Sequence, residues 1–228
     1  GEVSQPPIPI IRFDTAGVAG DTLWSSPAPL RDQIVLELGQ RRMMVLMSPA
    51  FQPPLRWAPL PDGGIVVSDT AEYLLRWVSP EGPVRRIVRR LPPARETTER
   101  DREWARERLR EESEDGRGPA LGGLDPELLL RQRLEKMTFA PLVPRITGLR
   151  VDGAGRVWVG VSTDTPEETG RIDVYGPEGE LLGELHGLDR VPSLFFGGDR
   201  AALLTRDELD VQQLVLVRLR EGAGARGE

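Results

Sequence analysis

The chain has 228 residues, a formal net charge of −6 and no cysteine. This length suffices for one large all-β domain or two smaller domains with a real core. The acidic charge argues against binding of nucleic acid through an overall field, since such proteins carry a basic surface. The lack of cysteine excludes disulfides, thiolate nucleophiles and cysteine-based zinc sites.

The sequence predicts no transmembrane segment. No stretch approaches the roughly 20 apolar residues of a membrane span. The first residues, GEVSQPPIPII, contain neither a basic region nor a cleavable apolar core. We therefore expect export to the periplasm or cell envelope only if the full-length protein carries a signal that this chain lacks.

The first predicted elements are two strands joined by a turn, in IIRFDTAGVAGDTLW (10–24), with the turn at Asp14 to Gly17. Residues 25–56 contain QIVLEL and RRMMVLM. These two segments could form a hairpin of a further sheet or only the long outer edge of the first.

A two-part unit then recurs. A glycine corner followed by a strand is found in LPDGGIVVSD (60–69), VDGAGRVWVGV (151–161) and GGDRAALLTRD (197–207). A strand, turn and strand follow in YLLRWVSPEGPVRRIV (73–88) and RIDVYGPEGELLGEL (171–185), and VQQLVLVRL (211–219) supplies one final strand. Proline presets φ and glycine accepts the positive φ that closes a hairpin. Alternation of Arg171 and Asp173 with Ile172 and Val174 predicts a sheet with two different faces.

A helical insertion interrupts the repeat. Asp152 and Asp199 lie 47 positions apart, whereas Asp62 and Asp152 lie 90 apart. Residues 95–140 account for the excess, because their composition is typical of helices. Thr98 is a predicted N-cap with Asp101 in a capping-box variant, and this helix runs to about Ser113. Asp125 and Pro126 predict the start of a second helix, with Leu130, Leu134 and Met137 on one stripe.

Antiparallel four-stranded units that repeat every 40 to 50 residues or so predict the blades of a β-propeller. The chain is accordingly assigned to the all-β class, with propeller blades at 1–94 and 141–220, a helical hairpin insertion at 95–140 and a disordered tail at 221–228. Its length outside the insertion predicts an incomplete ring of about three to four blades. A complete four-bladed ring is the alternative.

These repeats resemble the bacterial six-bladed propeller proteins related to NHL repeats. The resemblance rests on WAPLPDGGIVVSDTAEYLLRWVSPEG (57–82), GLRVDGAGRVWVGV (148–161) and FFGGDRAALLTRDELDVQQLVLVRL (195–219). It implies the propeller fold and says little about function. Because a six-bladed ring needs more residues, the chain looks like the C-terminal portion of a longer protein.

Acidic residues at the corners admit two interpretations. Asp62, Asp152 and Asp199 precede a strand, while Asp69, Asp164 and Asp207 follow one. Oxygen ligands from several blades could bind Ca²⁺, but aspartate at a turn usually accepts hydrogen bonds from its own backbone. We favour the turn interpretation. Lactonase-like propellers bind their metal through acidic residues and asparagine, and the absence of asparagine here weakens that resemblance.

The single histidine and the aromatic residues are assigned structural roles. His186 is expected to be a surface residue rather than an acid or base. Trp57, Trp77, Trp158 and Phe13 fall in predicted strands, and Tyr73 and Tyr175 in the outer hairpins. We expect these rings to pack between neighbouring blades rather than to line a ligand funnel.

The expected function is that of a non-catalytic binding scaffold without a cofactor, whose ligand is a protein, a peptide or a carbohydrate. The predicted ligand-binding residues are Asp164, Glu167 and Glu168 in the longest interstrand loop, and Trp104 and Arg108 on the insertion. Trp104 is also expected to pin the two helices together or onto the ring.

Two alternatives remain. One is a metal-dependent hydrolase or lactonase-like enzyme, completed by missing blades, in which Asp62, Asp69, Asp152, Asp199 and Asp207 bind Ca²⁺. The other is a sensor or envelope protein whose propeller only spaces other domains.

Overall fold

The computed structural model describes residues 6–38, 41–114, 125–166, 168–197, 200–206 and 211–218. In this part of the chain, strands form six antiparallel sheets, and two helices lie between the two four-stranded sheets in sequence. The predicted all-β class is therefore confirmed.

Two separate hairpins come first. Strands β1 (Ile8–Phe13) and β2 (Ala19–Ser26) pair with each other, as do β3 (Asp32–Leu38) and β4 (Arg41–Met47). The first hairpin turns where the sequence predicts, because Asp14 N donates to Val18 O at 3.0 Å and Gly17 has a φ of 79°. Of the two arrangements considered for residues 25–56, the structure shows the separate hairpin, since β3 and β4 form a two-stranded sheet of their own.

The first four-stranded sheet is a simple meander, with neighbouring strands joined in chain order. It comprises β5 (Arg56–Pro59), β6 (Ile65–Ser68), β7 (Leu74–Val78) and β8 (Val84–Arg89).

The insertion follows, and its helix starts are those predicted. It comprises β9 (Arg95–Glu96), α1 (Glu99–Glu114), α2 (Pro126–Glu135) and β10 (Leu142–Val143). Thr98 N donates to Asp101 Oδ2 at 2.8 Å while Asp101 N donates to Thr98 Oγ1 at 3.4 Å, which is a reciprocal capping box. Asp125 caps α2 by accepting from Glu127 N at 3.0 Å, with proline at the first turn.

The second meander repeats the four-stranded arrangement, and a three-stranded sheet follows it. The meander comprises β11 (Ile146–Val151), β12 (Val157–Ser162), β13 (Thr169–Tyr175) and β14 (Leu181–His186). The last sheet comprises β15 (Leu194–Phe196), β16 (Arg200–Arg206) and β17 (Gln212–Arg218).

The turns of the two meanders are equivalent. Ser79 N donates to Pro83 O at 2.9 Å in one meander, and Gly176 N donates to Glu180 O at 2.8 Å in the other. Both loops place a glycine in the left-handed region, as the matching Pro-Glu-Gly segments predict (Gly82 and Gly179). The first corner of each meander also closes in the same way, from Leu60 to Gly64 and from Asp152 to Arg156. Asp62 is thus the third residue of its corner, whereas Asp152 is the first residue of the other.

Four sheets pack face to face: the β1–β2 hairpin, the first meander, the second meander and the last sheet, in that order. Val66 and Trp77 of the first meander contact the cluster formed by Leu149 and Val159 of the second. The opposite face of the first meander packs on β1 and β2 through Val67, and the opposite face of the second meander packs near Phe195 of β15. The second strand of each meander is consequently buried on both faces, as the uninterrupted runs IVVS and VWVGVS require.

Packing of the helices differs from the predicted stripe. Leu129, rather than Leu130, is the buried leucine of α2, and it joins Leu36 of the β3–β4 hairpin. Trp104 stacks on Phe51, with ring centroids 6.1 Å apart. The two helices are therefore attached to the N-terminal part of the chain.

The expectation that every strand aromatic packs between sheets is wrong for two residues. Trp57 is 45% exposed and Phe13 is 60% exposed, because each projects from a strand face that no described residue covers. Trp77 and Trp158 are buried between sheets as predicted.

Candidate functional site

The meander topology separates two ends of the stacked sheets. The corners and hairpin turns at 60–64, 79–83, 152–156 and 176–180 lie at one end, which we call the hairpin end. The connections at 69–73 and at 163–166 and 168 lie at the opposite end, which we call the loop end. Because β8 ends there and β11 starts there, Arg90 and Arg145 also belong to the loop end.

Hydrogen bonds between distant segments hold the loop end together. Arg145 N donates to Ala71 O at 2.8 Å, which ties the start of the second meander to the first. Arg95 Nη2 donates to the main-chain oxygen of Asp164 at 2.7 Å, which ties the insertion to the 163–168 loop. The loop end is therefore built from both meanders and from the insertion.

A buried polar cluster lies between the meanders just below the loop end. Tyr73 Oη donates to Asp173 Oδ2 at 2.7 Å and lies 2.9 Å from Tyr175 Oη. Asp173 is fully buried and also accepts from Arg90 Nη1 at 2.8 Å and from Arg171 Nε at 2.9 Å. The charge of the carboxylate is thereby balanced, as burial of an ion requires.

Burial perturbs the titration of this cluster. Removal from water raises the pKa of Tyr73, and its neighbours Tyr175 and Asp173 raise it further. Burial likewise raises the pKa of Tyr175. The hydrogen bond from Arg90 lowers the pKa of Glu184, which accepts from Arg90 Nη2 at 2.9 Å. Both tyrosines are consequently neutral hydrogen-bonding groups at neutral pH.

Arg145 is the distinctive cation of the loop end. Its side chain is half-buried, and within the described ranges it has neither an ion pair nor a side-chain hydrogen bond. Burial lowers its pKa, and the positive charges of Arg171 and Arg95 lower it further. The pKa of Arg95, by contrast, is raised by its hydrogen bonds to Asp101.

The predicted acidic loop lies at the loop end, beside Arg145. Asp164 and Glu168 are exposed, and their carboxylates make no ion pair with any residue of known placement. Asp164 lies near enough to Arg145 to raise its pKa. Glu167 lies outside the described residues.

The predicted insertion residues do not join this cluster. Trp104 is half-buried in an apolar cluster with Phe51, Met137 and Phe139, so it has a packing role. Arg108 is exposed and lies within 3.8 Å of Glu111 and 3.7 Å of Glu112. An open groove of about 450 Å³ lies beside the insertion; it is lined by Glu96, Thr97, Arg102, Phe139, Ala140, Pro141 and Leu142.

The aspartates of the metal alternative are dispersed and bonded to protein donors. Asp152 accepts from the backbone nitrogens of Ala154 and Arg156 through Oδ1, and from Arg156 Nε and Trp158 Nε1 through Oδ2. Asp62 accepts from Gly64 N and Arg85 Nη1, at the same end of the sheets.

Asp69 lies at the loop end, where it accepts from Trp24 Nε1 and Arg76 Nη1. Among residues of known placement, no group of three or more histidine, aspartate or glutamate side chains could hold a metal ion. Asp199 and Asp207 fall outside the described ranges.

Sequence reasoning missed Tyr73, Asp173 and Arg90 as a cluster. The alternation in β13 predicts a polar face, but that face lies against the first meander instead of water. One signal was available, because Asp173 and Arg76 each lie four residues before the proline of a Pro-Glu-Gly turn. Arg76 is likewise turned toward the preceding sheet, where it lies over the ring of Trp24, and it pairs with Asp69 of its own meander.

Comparison with protein-family models and with curated proteins finds no match for this chain. In the described part of the chain, neither helix is long and apolar enough to span a membrane.

Proposed function

We propose that the chain is a β-propeller-like binding scaffold, similar to the NHL-repeat group, with about three to four blades and a helical insertion. On this proposal the two meanders are complete blades, β1 and β2 are the outer hairpin of an opening blade, and β15 to β17 belong to a terminal one. The scaffold recognises its ligand at the loop end without covalent chemistry.

The sheet stack supports the propeller part of the proposal. Radial blades bury each face against a neighbour, so their middle strands carry apolar residues on both sides. The faces of β6 and β12 have this character. The repeated turns and the equivalent inward positions of Arg76 and Asp173 also favour one unit used several times.

The binding part of the proposal is supported by the connections that meet at the loop end. The described residues of three segments, 69–73, 143–146 and 163–166 with 168, converge there. Hydrogen bonds of their backbones and side chains fix them on rigid sheets. Loops held by a rigid scaffold are common ligand-binding elements. Exposed carboxylates at Asp164 and Glu168 beside the half-buried Arg145 provide charged groups for recognition.

The carboxylate bonding favours a scaffold over a calcium-dependent hydrolase. The four hydrogen bonds of Asp152 occupy both of its oxygens. A calcium ion takes six to eight oxygen ligands, so its binding would require these turns to be rebuilt.

The test compares the two ends of the sheets. Thermal stability is measured with four probes: an alternating Lys-Glu hexapeptide, hexaglutamate, hexalysine and a neutral cello-oligosaccharide. The loop-end variant is Asp164→Ala with Glu168→Ala, and the matched hairpin-end control is Glu81→Ala with Glu178→Ala, since all four side chains are exposed.

We expect at least one probe to raise Tm, and this rise to be lost in the loop-end variant and kept in the control. Loss of the rise in the control alone, or no rise with any probe, would contradict the proposal. Calcium-dependent hydrolysis of a γ-lactone by the purified chain would contradict it in favour of the enzyme.

A further inference from the structure

The backbone of Arg145 is fixed at the junction of the two meanders. Arg145 N donates to Ala71 O in the first meander, and Arg145 O accepts from Ser162 N in the second, each at 2.8 Å. The guanidinium therefore starts from a rigid point that both sheets define. A side chain placed in this way loses less freedom on binding than one on a mobile loop.

The charge of Arg145 is not compensated by contact with any residue that the structure describes. Neighbouring arginines have acceptors of their own, because Arg95 is bidentate to Asp101 and Arg171 is bonded to Asp173. Asp164 and Glu72 act on Arg145 through space, yet no carboxylate oxygen of a described residue lies within 4.0 Å of its nitrogens. The half-buried guanidinium is therefore available to an acceptor that a ligand supplies.

A second polar group of the same segment also lacks a partner. Thr70 Oγ1 is buried and has no hydrogen-bond partner among the described residues. Thr70 immediately precedes Ala71, whose carbonyl oxygen holds Arg145 N. Hydrogen-bonding capacity is therefore left over on both sides of this junction.

We propose that Arg145 binds a carboxylate of a zwitterionic peptide segment, whose cationic group is bound by Asp164 and Glu168. This inference rests on the proposed function and assigns its ligand class. The planar guanidinium matches a carboxylate with two parallel hydrogen bonds. The two exposed carboxylates repel a polyanion and attract an ammonium or guanidinium group, so charges of both signs are required.

The test is isothermal titration of the full chain with the alternating Lys-Glu hexapeptide, hexaglutamate, hexalysine and inorganic phosphate. The variants are Arg145→Met, which keeps an unbranched apolar stem without the charged guanidinium, and Arg145→Lys, which keeps the charge without the planar fork. Arg133→Met is the matched control, because Arg133 is also half-buried and lies on α2, outside the segments whose hydrogen bonds form the loop end. Thermal unfolding of each variant verifies that it folds.

We expect the alternating peptide to bind most tightly, Arg145→Met to weaken it at least tenfold, Arg145→Lys to weaken it less, and Arg133→Met to leave it unchanged. Equal or tighter binding of hexaglutamate or phosphate would overturn the zwitterionic assignment. Affinity of folded Arg145→Met within twofold of the parent would overturn the role of Arg145. In a further outcome, Arg145→Met keeps its affinity while the variant Asp164→Ala with Glu168→Ala loses binding of a probe. In that outcome this inference fails and the proposed scaffold function survives.

Discussion

The hydroxyl of Tyr73 donates a 2.7 Å hydrogen bond to Asp173, which joins two sheets across 100 positions of sequence. Asp173 is fully buried, and its charge is matched by Arg90 and Arg171. This bond lies in a layer between the apolar core of the stack and the loop end. It therefore couples the packing of the two meanders to the position of the loops above them.

A double-mutant cycle measures this coupling. Tyr73→Phe is expected to lower the free energy of unfolding by about 2 kcal/mol, since it removes a hydrogen bond to a charged acceptor. Asp173→Asn should cost about 3 kcal/mol, since it leaves the half-buried guanidinium groups of Arg90 and Arg171 without their counter-ion. The coupling energy from urea denaturation is expected to be about 1 to 2 kcal/mol. Additive effects would contradict the contact, and Glu184→Gln, at a partly exposed site, is the mild control.

The two tyrosines should not titrate in the folded chain near their ordinary pKa of about 10. Burial raises the pKa of both Tyr73 and Tyr175, and the sequence contains no other tyrosine. The neutral tyrosines stabilise the fold below the unfolded pKa, and this contribution is lost as the pH rises above about 10 toward the raised values.

Spectrophotometric titration of tyrosinate checks this expectation. Ionisation should coincide with cooperative alkaline unfolding, whereas in concentrated urea both groups should titrate at about pH 10. Ionisation of either tyrosine near pH 10 while the far-UV circular dichroism stays native would contradict the buried cluster.

The capping box of α1 should stabilise the fold at neutral pH and lose this contribution in acid. Asp101 is buried, and its pKa is lowered by the bidentate hydrogen bonds of Arg95 and then by those of Thr98. Asp101→Asn is expected to cost about 2 kcal/mol at neutral pH, through loss of the cap and the ion pair.

The direction of this pH dependence follows from the lowered pKa of Asp101. The stabilisation is fully present above the unfolded pKa of about 4 and is lost as the pH falls toward the folded value. The difference between parent and variant should therefore shrink in urea titrations below about pH 4. A difference that is independent of pH would contradict the assignment, and the exposed Glu103→Gln is expected to leave stability unchanged.

Two glycines at the first corners of the meanders should respond differently to alanine. A β-carbon at Gly64 would lie 2.4 Å from the carbonyl oxygen of Val78, a backbone atom of β7. Gly64→Ala should cost about 2 to 3 kcal/mol, because the strand must shift to relieve the overlap. Gly153 has nothing within 4 Å of its added β-carbon, so Gly153→Ala should change stability by less than about 1 kcal/mol. Equal costs in urea denaturation would contradict the corner geometry.

The sequence was sufficient to predict features with a local cause. Pro-Glu-Gly turns, the Asp14 to Gly17 turn, the helix caps at Thr98 and Asp125, and the meander strands depend on residues close in sequence. These predictions are confirmed by the hydrogen bonds at those positions. The equivalence of Asp62 and Asp152 was less well predicted. Asp62 is the third residue of its corner and Asp152 the first, so their carboxylates accept from different donors.

Features that depend on distant partners could not be predicted. The polar face of β13 looks like a solvent face until Tyr73 and Arg90 are brought against it by a second sheet. Exposure of Trp57 and attachment of α2 to β3 and β4 likewise depend on which surfaces meet. For the same reason, the lack of an ion-pair partner for Arg145 among the described residues has no signature in its immediate sequence, VPRITG.

The most direct test of face-to-face packing is a nuclear Overhauser measurement between the rings of Trp77 and Tyr175, which belong to different meanders. Their centroids lie 6.0 Å apart in an edge-on arrangement. In protein labelled selectively at tryptophan and tyrosine, we expect a cross-peak between these rings that disappears in Tyr175→Phe. Cross-peaks from Trp77 confined to residues of its own sheet would contradict the stack and the loop end built on it.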